Sequence, residues 1–265
     1  MNIKSIDLND VHILSSLQPK GWSEISPIFK FYSKSSFCFP IKTTIDNKIV
    51  GIGTTVIHDD VAWLAHIIVD SAYRRRGIGL QIVKALMEIA EENYCSTIYL
   101  IATELGVPIY EKVGFVTEAK YLVHKHVTKN DWIISDNIYP YVDEYKEQIK
   151  TLDKSVSGEN RMIHLEEHCK NCQIYCSNDI VEGYYMPTLG EGLIIANTEK
   201  AGIELLKLHL KGNDQVVVPQ ENHIACKFLE EIGVGEMRVI RRMRFGKERK
   251  VQFPHIYNRI GGNVG

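Results

Sequence analysis

The sequence has little of what marks several classes of protein. Six cysteines among 265 residues are too few for a disulfide-stabilised scaffold, so we expect reduced thiols. No apolar run approaches the ~18–20 residues that a membrane-spanning helix needs. Basic and acidic residues nearly balance, 31 against 33, which argues against nucleic-acid binding over the whole surface. These scarcities, together with the charges among the first ten residues, predict a soluble cytoplasmic protein with no membrane partner.

What remains is an ordinary globular composition, with 45% hydrophobic and 24% charged residues. At ~100–200 residues per domain, the length favours one large domain or two modest ones. Both halves alternate strand-like and helix-like segments, which predicts a duplicated α/β unit. We predict a mixed central sheet flanked by helices in each half. We place the boundary between residues 127 and 128, which gives domains 1–127 and 128–265.

The clearest chemical signal lies where a predicted strand, Val61–Val69, meets a periodic helix. The loop between them is basic and contains two glycines, whose backbones turn tightly and approach ligands closely. N–H groups at a helix N-terminus bind anions, and arginines donate charge-assisted hydrogen bonds to phosphate. An exposed basic loop that only caps the helix is the alternative. We predict a diphosphate site formed by Arg74, Arg75, Arg76, Gly77, Ile78 and Gly79.

This loop lacks both the third glycine of the dinucleotide fingerprint and the Gly-Lys-Ser/Thr ending of a P-loop. Residues 74–79 instead resemble the acetyl-CoA pyrophosphate loop of the GNAT superfamily of N-acetyltransferases, and residues 108–115, PIYEKVGF, are similar to its next motif. The resemblance implies acetyl-CoA as co-substrate. It also implies that the pantetheine arm pairs with the backbone of Ile67, Ile68 and Val69, with a polarising N–H near Ile68.

The second half is similar to a tandem arrangement in which a degenerate GNAT domain follows an active one. No Arg-x-x-Gly-x-Gly loop lies between Ala196 and Ala201, so the resemblance implies a structural or acceptor-site role for residues 128–265. The residues that carry the similarity are Gly183, Tyr184, Tyr185, Gly192, Leu193, Ile194, Ile195, Ala196, Val218, Pro219, Asn222, Phe228, Leu229, Gly233, Arg242 and Met243.

Tyr110 is the candidate general acid. It precedes Gly114 by four residues, where the superfamily commonly places a tyrosine that protonates the thiolate of CoA. A phenol with a pKa near ~10 suits a thiolate with a pKa near ~8.5. The alternative is a core tyrosine packed beside Phe115.

The sequence leaves the general base open. His66 lies on the cofactor strand and is a candidate to take the proton, although a lone strand histidine also suits packing. Trp63 stands where some relatives carry a glutamate base, and Glu104 is a second candidate near the end of the next strand. A neutral amine needs no base. Trp22, in a Gly-Trp pair similar to one in the tandem family, is a candidate wall of the acceptor pocket or an anchor to the core.

Two other clusters suggest different chemistry. Seven basic residues lie within residues 237–250, but apolar residues alternate with them, as in a half-buried strand. A metal site is the second alternative, since Cys169-x-x-Cys172 has metal-ligand spacing, yet no second such pair follows. We therefore expect neither nucleic acid nor metal to bind. The histidines and cysteines of that cluster are His164, His168, Cys169, Cys172 and Cys176.

The sequence thus predicts an enzyme that moves an acetyl group from acetyl-CoA to a primary amine of a small molecule. We expect direct attack without a covalent enzyme intermediate, because no cysteine lies in either cofactor motif. Two alternatives stay open: a protein acetyltransferase acting on a lysine or an N-terminus, and a non-catalytic acyl-CoA-binding module. A homodimer is a candidate assembly.

Overall fold

The computed structural model describes residues 2–125 and 131–265. The chain divides into two compact units. The first contains Met1–Val116, Met243–Lys247 and Gly262–Val264, and the second contains Thr117–Arg242, Glu248–Gly261 and Gly265. The boundary predicted between residues 127 and 128 lies outside the described residues. The chain leaves the first unit at Val116 and returns to it twice, so this unit is assembled from distant parts of the sequence.

A mixed sheet forms the centre of the first unit. Neighbouring strands are antiparallel from β1 to β4, whereas β4 and β5 are parallel. A parallel pair needs a crossover connection, which a helix supplies here. Met243–Lys247 provide a further strand beside β5. The sheet order is β1 (Asn2–Ser5), β2 (Cys38–Ile45), β3 (Lys48–His58), β4 (Val61–Val69) and β5 (Thr97–Ala102).

The crossover helix packs closely on this sheet. Ile82, Val83 and Leu86 form its buried stripe, as the helical period of the sequence predicts. A Cβ built on Gly53 of β3 would lie 2.8 Å from Cδ1 of Leu86, so glycine permits this approach. The helices of this unit are α1 (Ile25–Tyr32), α2 (Ile78–Glu92) and α3 (Val107–Glu111), with 3-10 helices at Val11–Leu17 and Ser71–Tyr73.

The second unit contains a five-stranded antiparallel sheet in the order β13-β10-β9-β8-β7, while β6 pairs antiparallel with β11. The predicted domain 1–127 includes β6, but the structure places β6 in the second unit, because its hydrogen-bonding partner β11 lies there. The remaining strands of the chain are β6 (Val116–Lys125), β7 (Ile138–Pro140), β8 (Gln173–Ser177), β9 (Ile180–Met186), β10 (Leu193–Ala196), β11 (Gln215–Pro219), β12 (Glu236–Gly246) and β13 (Ile256–Asn258). The end of β12, from Met243 onward, is the strand of the first unit beside β5.

Helices cover the second unit's strands and contribute Leu205, Leu206 and Leu229 to its apolar core. These helices are α4 (Lys146–Ser157), α5 (Met162–Leu165), α6 (Glu199–Gly212) and α7 (His223–Glu231), with 3-10 helices at Asp143–Tyr145, Glu166–Asn171 and Phe253–His255. None of the helices within the described residues is both long and apolar enough to cross a membrane.

The interior of the second unit also holds charged side chains. Arg161 makes three hydrogen bonds to the carboxylate of Asp153, and Tyr184 donates to the same carboxylate. Arg242 donates to Glu118 and Glu159. Buried charges are tolerated when they are paired and hydrogen-bonded, so these contacts keep the polar interior compatible with folding.

Candidate active site

β4 and β5 pair along only part of β4. Residues 61–64 pair with residues 97–100, whereas residues 65–69 have no partner on this side within the described chain. The other edge of β4 stays paired with β3 as far as Val69. The two parallel strands therefore separate after Leu64, and residues 65–69 present an open edge.

A β-bulge marks the point of separation. The register between β3 and β4 shifts between Ile52 and Thr54, and His66 opposite this shift has a φ of 50°. Few residues other than glycine adopt a positive φ, and such conformations concentrate at functional sites. A bulge bends its strand, which accounts for the departure of β4 from β5.

The open edge presents the backbone of only some of the predicted residues. The N–H of Asp70 donates to the carbonyl of Val50 on β3. Because peptide groups alternate in direction along a strand, those of Ile68 also face β3, while the carbonyl of Ile67 and both groups of Val69 face the open edge. The backbone groups of Ile68, which the resemblance assigned to the pantetheine arm, thus belong to the ladder with β3.

The basic loop connects the open edge to α2. The guanidinium of Arg74 donates from Nε to the carbonyl of Val69 at 3.1 Å. Arg75 and Gly77 have positive φ values of 61° and 78°. α2 begins at Ile78, and no side chain caps its first N–H groups. Backbone N–H groups in turns of this kind form concavities that bind anions.

Positive charge surrounds this loop. Arg74, Arg75 and Arg76 are exposed, and the guanidinium of Arg76 lies 5.2 Å from the ring centre of Tyr73. The ammonium group of Lys48 lies 5.1 Å from the same ring. Among the three arginines of this exposed loop, only Arg74 has a described hydrogen bond, from its Nε to the backbone. The side chains of the loop can therefore reach phosphate oxygens.

Asp70 closes the start of the loop. Its carboxylate accepts from the backbone N–H of Ala72 at 2.9 Å and from Nζ of Lys48 at 2.8 Å. The hydrogen bond from Lys48 lowers the pKa of Asp70, so this carboxylate is charged at neutral pH and holds the loop against β3.

Tyr110 on α3 lies beside the same loop. Its ring packs edge to face against Phe115, with 6.1 Å between the ring centres. A Cβ built on Gly79 would lie 3.6 Å from Ile109, which places α3 against the first turn of α2. Burial raises the pKa of Tyr110 to about 12, so its phenol keeps its proton at neutral pH. The side chain combines the packing role with the capacity to donate a proton.

Trp22 and His66 lie together on the first unit. Their ring centres are 6.1 Å apart, and Phe29 packs against His66 at 5.9 Å. Trp22 is 47% exposed, so part of its ring is open to a ligand. Burial lowers the pKa of His66 to about 4, so the imidazole is neutral at physiological pH.

Two residues that sequence analysis did not single out are linked to His66, Tyr32 directly and Asn263 through Tyr32. The hydroxyl of Tyr32 lies 3.0 Å from Nδ1 of His66, and Nδ2 of Asn263 donates to that hydroxyl at 3.3 Å. Tyr32 occupies a buried position of α1, and Asn263 lies 231 residues further along the chain. No local pattern connects residues so far apart, so only the folded structure reveals this chain of contacts.

The other candidate bases lie in different surroundings. Trp63, at the position where some relatives carry glutamate, is fully buried with its ring centre 5.0 Å from that of Tyr99. Glu104 is exposed on the loop that follows β5. Trp63 therefore belongs to the core, and no described contact joins Glu104 to His66.

A cavity of about 350 Å³ lies on the first unit, and Tyr32 forms part of its wall. The cavity includes neither the open edge of β4 nor the basic loop. Burial raises the pKa of Cys38 in its wall to about 12, which keeps this thiol protonated. Its lining residues include Ser33, Ser35, Cys38, Glu92 and Asn93.

Most side chains of the cluster with metal-ligand spacing are hydrogen-bonded to protein groups or buried. Cys169 donates to the carbonyl of Leu165, and the ring of His168 is hydrogen-bonded to Thr188 at 2.8 Å. Cys172 and Cys176 are buried. Among residues 2–125 and 131–265, no three side chains of metal-ligating type are placed to hold one ion.

The second unit repeats the order strand, helix and strand in β10, α6 and β11, but β13 lies beside both of these strands. β13 pairs with β10, and the N–H of Arg259 at its end donates to the carbonyl of Val217 on β11 at 3.2 Å. The side chain of Thr198 caps α6 by accepting from Ala201. At β10 and α6, the described residues thus show neither the open strand edge nor the helix start without a capping side chain that the first unit presents.

The first unit thus combines a mixed α/β sheet, an open strand edge and a basic loop at the start of a helix. Residues 10–115 match the family model of the acetyltransferase (GNAT) family. Residues 10–115, the segment that this model covers, are thus assigned to the GNAT acetyltransferase family. Both sequence motifs lie within this segment, so the match confirms the resemblance that they suggested.

Curated relatives match over short segments. The uncharacterized N-acetyltransferase YitH of Bacillus subtilis is 43% identical over 61 residues, which are 22% of this chain and 21% of that protein. Glucosamine 6-phosphate N-acetyltransferase of Trypanosoma brucei brucei is 34% identical over 55 residues, 21% of this chain and 37% of that protein. The alignments therefore span well under half the length of these relatives.

Solved structures match over nearly the whole chain. A protein of Pyrococcus horikoshii classed as an acetyltransferase has a TM-score of 0.84 at 20% identity, covering 100% of this chain and 95% of that one. A tandem GNAT protein from the clavulanic acid biosynthesis pathway has a TM-score of 0.63 at 13% identity, with 94% and 99% covered. At these identities the likeness concerns the fold, and it confirms the predicted α/β tandem architecture.

Proposed function

We propose that this protein transfers an acetyl group from acetyl-CoA to the primary amine of a small molecule. The observation that carries the proposal is the open edge of β4 at residues 65–69, which leads into the basic loop and the uncapped N-terminus of α2. An extended ligand pairs with a strand edge through main-chain hydrogen bonds, and a helix N-terminus with arginines binds phosphate. These adjacent features suit the two ends of one acyl-CoA molecule.

The backbone of Ile67 and Val69 would pair with the pantetheine arm, because the carbonyl of Ile67 and both groups of Val69 face the open edge. The N–H group of Val69 also replaces that of Ile68 as the candidate for the donor that polarises the thioester carbonyl. Fixed donors aimed at a developing negative charge stabilise it without reorganisation. The side chains of Arg74, Arg75 and Arg76, and the N–H groups of residues 77–79, would hold the diphosphate.

Tyr110 would protonate the leaving group. In the reaction the amine nitrogen bonds to the carbonyl carbon, the carbon–sulfur bond breaks, and the sulfur departs with the electron pair as a thiolate. The phenol of Tyr110, which is protonated at neutral pH, would then give its proton to that sulfur. The nitrogen loses its own proton to water or to a base.

We propose that only the first unit binds acetyl-CoA. In the second unit β13 lies beside both β10 and β11, and Thr198 already caps α6. The strand edge at that place is thus occupied, and the N-terminus of α6 already holds a capping side chain. The second unit then has a structural role or contributes to acceptor binding.

The names of the relatives guide the choice of acceptor. Glucosamine 6-phosphate is the first amine to test, because enzymes named for its acetylation in Trypanosoma brucei brucei and in rice match segments of this chain. Peptides with a free lysine or N-terminus represent the rival substrate class.

The test begins with calorimetric titration of the full chain with acetyl-CoA, for which we expect one site per chain. Release of CoA thiol is then measured with glucosamine 6-phosphate, other small amines and peptides. Absence of binding at millimolar acetyl-CoA would refute the cofactor site. Binding without thiol release from any amine would favour an acyl-CoA-binding module, and release with peptides alone would favour a protein acetyltransferase.

A further inference from the structure

Three side chains of the first unit form a hydrogen-bonded chain whose direction is determined by its donors. The amide of Asn263 donates to the hydroxyl oxygen of Tyr32, which lies 3.0 Å from Nδ1 of His66. Within the described residues, Tyr32 has no other hydrogen-bond acceptor. Its single proton is therefore directed at Nδ1, which must accept it.

This direction sets the tautomer of His66. The ring is neutral, because burial among Trp22, Phe29 and Tyr32 lowers its pKa to about 4. A neutral imidazole carries one N–H, and an accepting Nδ1 leaves that proton on Nε2. The hydrogen bond made by one ring nitrogen commonly decides whether the other nitrogen carries the proton.

Nε2 is open to a ligand. It has no hydrogen-bond partner among residues 2–125 and 131–265, yet it does not belong to the buried polar atoms without partners. Nε2 therefore contacts solvent. The imidazole ring that carries it packs against the half-exposed ring of Trp22. A donor beside an exposed aromatic surface suits a ligand with an oxygen acceptor next to an apolar face.

We propose that His66 binds the acceptor substrate by donating a hydrogen bond from Nε2, and that Tyr32 and Asn263 are positioning residues that hold the ring in this tautomer. The inference rests on the proposed function and deepens it. A protonated Nε2 has no lone pair to take a proton, so His66 is not the general base. The acceptor then carries a hydroxyl, carbonyl or phosphate oxygen near its amine, and its apolar face lies on Trp22.

Asn263→Asp provides the sharpest test, because it reverses the direction of the chain. A carboxylate only accepts, so the hydroxyl of Tyr32 would donate to it and would accept from Nδ1–H of His66. The ring proton then moves to Nδ1, and Nε2 becomes a base. Asn160→Asp is the matched control, since it adds the same charge at an exposed position of the second unit.

The tautomer is read by long-range proton–nitrogen NMR of the full chain labelled at histidine, with the signals of His66 assigned from their loss in His66→Gln. We expect the wild type and Asn160→Asp to carry the proton on Nε2 at neutral pH, and Asn263→Asp to carry it on Nδ1. A wild-type proton on Nδ1, or a charged ring at neutral pH, would overturn the proposal. This readout needs neither acetyl-CoA nor turnover, so it stands apart from the proposed function.

Kinetics test the contact with substrate. With an amine that releases CoA thiol, His66→Leu should raise the KM for the amine roughly 10-fold, the effect of losing one hydrogen bond, with unchanged affinity for acetyl-CoA. His66→Gln keeps an N–H donor and should restore most of this loss. A kcat that falls more than roughly 100-fold in His66→Gln, with loss of a limb of the pH profile, would identify a base instead.

Discussion

The ring of Tyr257 lies directly against the backbone of Gly202 in the first turn of α6. A Cβ built on Gly202 would lie 2.0 Å from Cζ of Tyr257, so no larger side chain fits there. Tyr257 belongs to β13, the strand that lies beside β10 and β11. This contact covers the start of α6, whereas α2 of the first unit begins at Gly77 with no capping side chain.

Replacing Gly202 with alanine should destabilise the second unit. The added methyl group overlaps the ring of Tyr257, and overpacking of this kind costs about 1–3 kcal/mol. Acetyl-CoA affinity should stay unchanged, because the proposed cofactor site lies in the first unit. Urea denaturation and calorimetric titration measure the two quantities.

Gly212→Ala is the control on the same helix. Nothing lies within 4 Å of its Cβ, so it should stabilise the protein by about 0.4–1 kcal/mol. Equal effects of the two substitutions would contradict the packing argument.

Gly77→Ala should weaken acetyl-CoA binding. Gly77 has a φ of 78°, and open space surrounds its Cβ position, where we place the diphosphate. We expect a roughly 10-fold loss of affinity for acetyl-CoA. The backbone strain should also lower the free energy of unfolding by about 1–2 kcal/mol. Gly233→Ala in the second unit imposes the same backbone strain, since its φ is 74° and its surroundings are equally open. That control should lose stability and keep its affinity, and a similar loss of affinity in both would remove Gly77 from the site.

Tyr110→Phe should lower turnover while leaving the dissociation constant of acetyl-CoA nearly unchanged. General-acid catalysis contributes about 10²–10⁴-fold, so we expect a loss within that range. Because the pKa of Tyr110 is about 12, wild-type kcat should show no falling limb at the ordinary tyrosine pKa of 10.0. Tyr94→Phe, at a tyrosine that is 90% exposed, is the control. Unaltered turnover in Tyr110→Phe would leave this residue with its packing role alone.

Protonation of His66 should lower the stability of the folded protein in acid. The pKa of this residue is about 4 in the folded protein, against 6.5 for an unperturbed histidine, so the unfolded chain binds a proton first as the pH falls. The stability is therefore complete above pH 6.5 and is lost as the pH falls toward 4, by at most about 3 kcal/mol. The advantage of the wild type over His66→Gln should shrink over this interval in urea denaturation. Burial also lowers the pKa values of His124 and His209, but both proteins share those effects. A constant difference between the two proteins would show that the ring titrates normally.

The elements around the cofactor loop could be predicted because their signals are local. The strand expected at Val61–Val69 has those bounds in the structure, and α2 follows Gly77 as the loop pattern predicts. An apolar run, a glycine and a helical period each depend on residues near one another in the chain. The direction of the peptide groups of Ile68 could not be predicted, because the bulge at His66 depends on pairing with β3.

The covalent order of residues therefore specifies the motifs of the site, from the strand through the arginines to Tyr110. Tertiary structure decides which distant segments complete them. Met243–Lys247 joins the first unit, β13 lies beside both β10 and β11, and Asn263 reaches Tyr32. The physical reason is that periodicity encodes which face of a strand or helix is buried, whereas the partner that buries it is chosen by packing and hydrogen bonding across the whole fold.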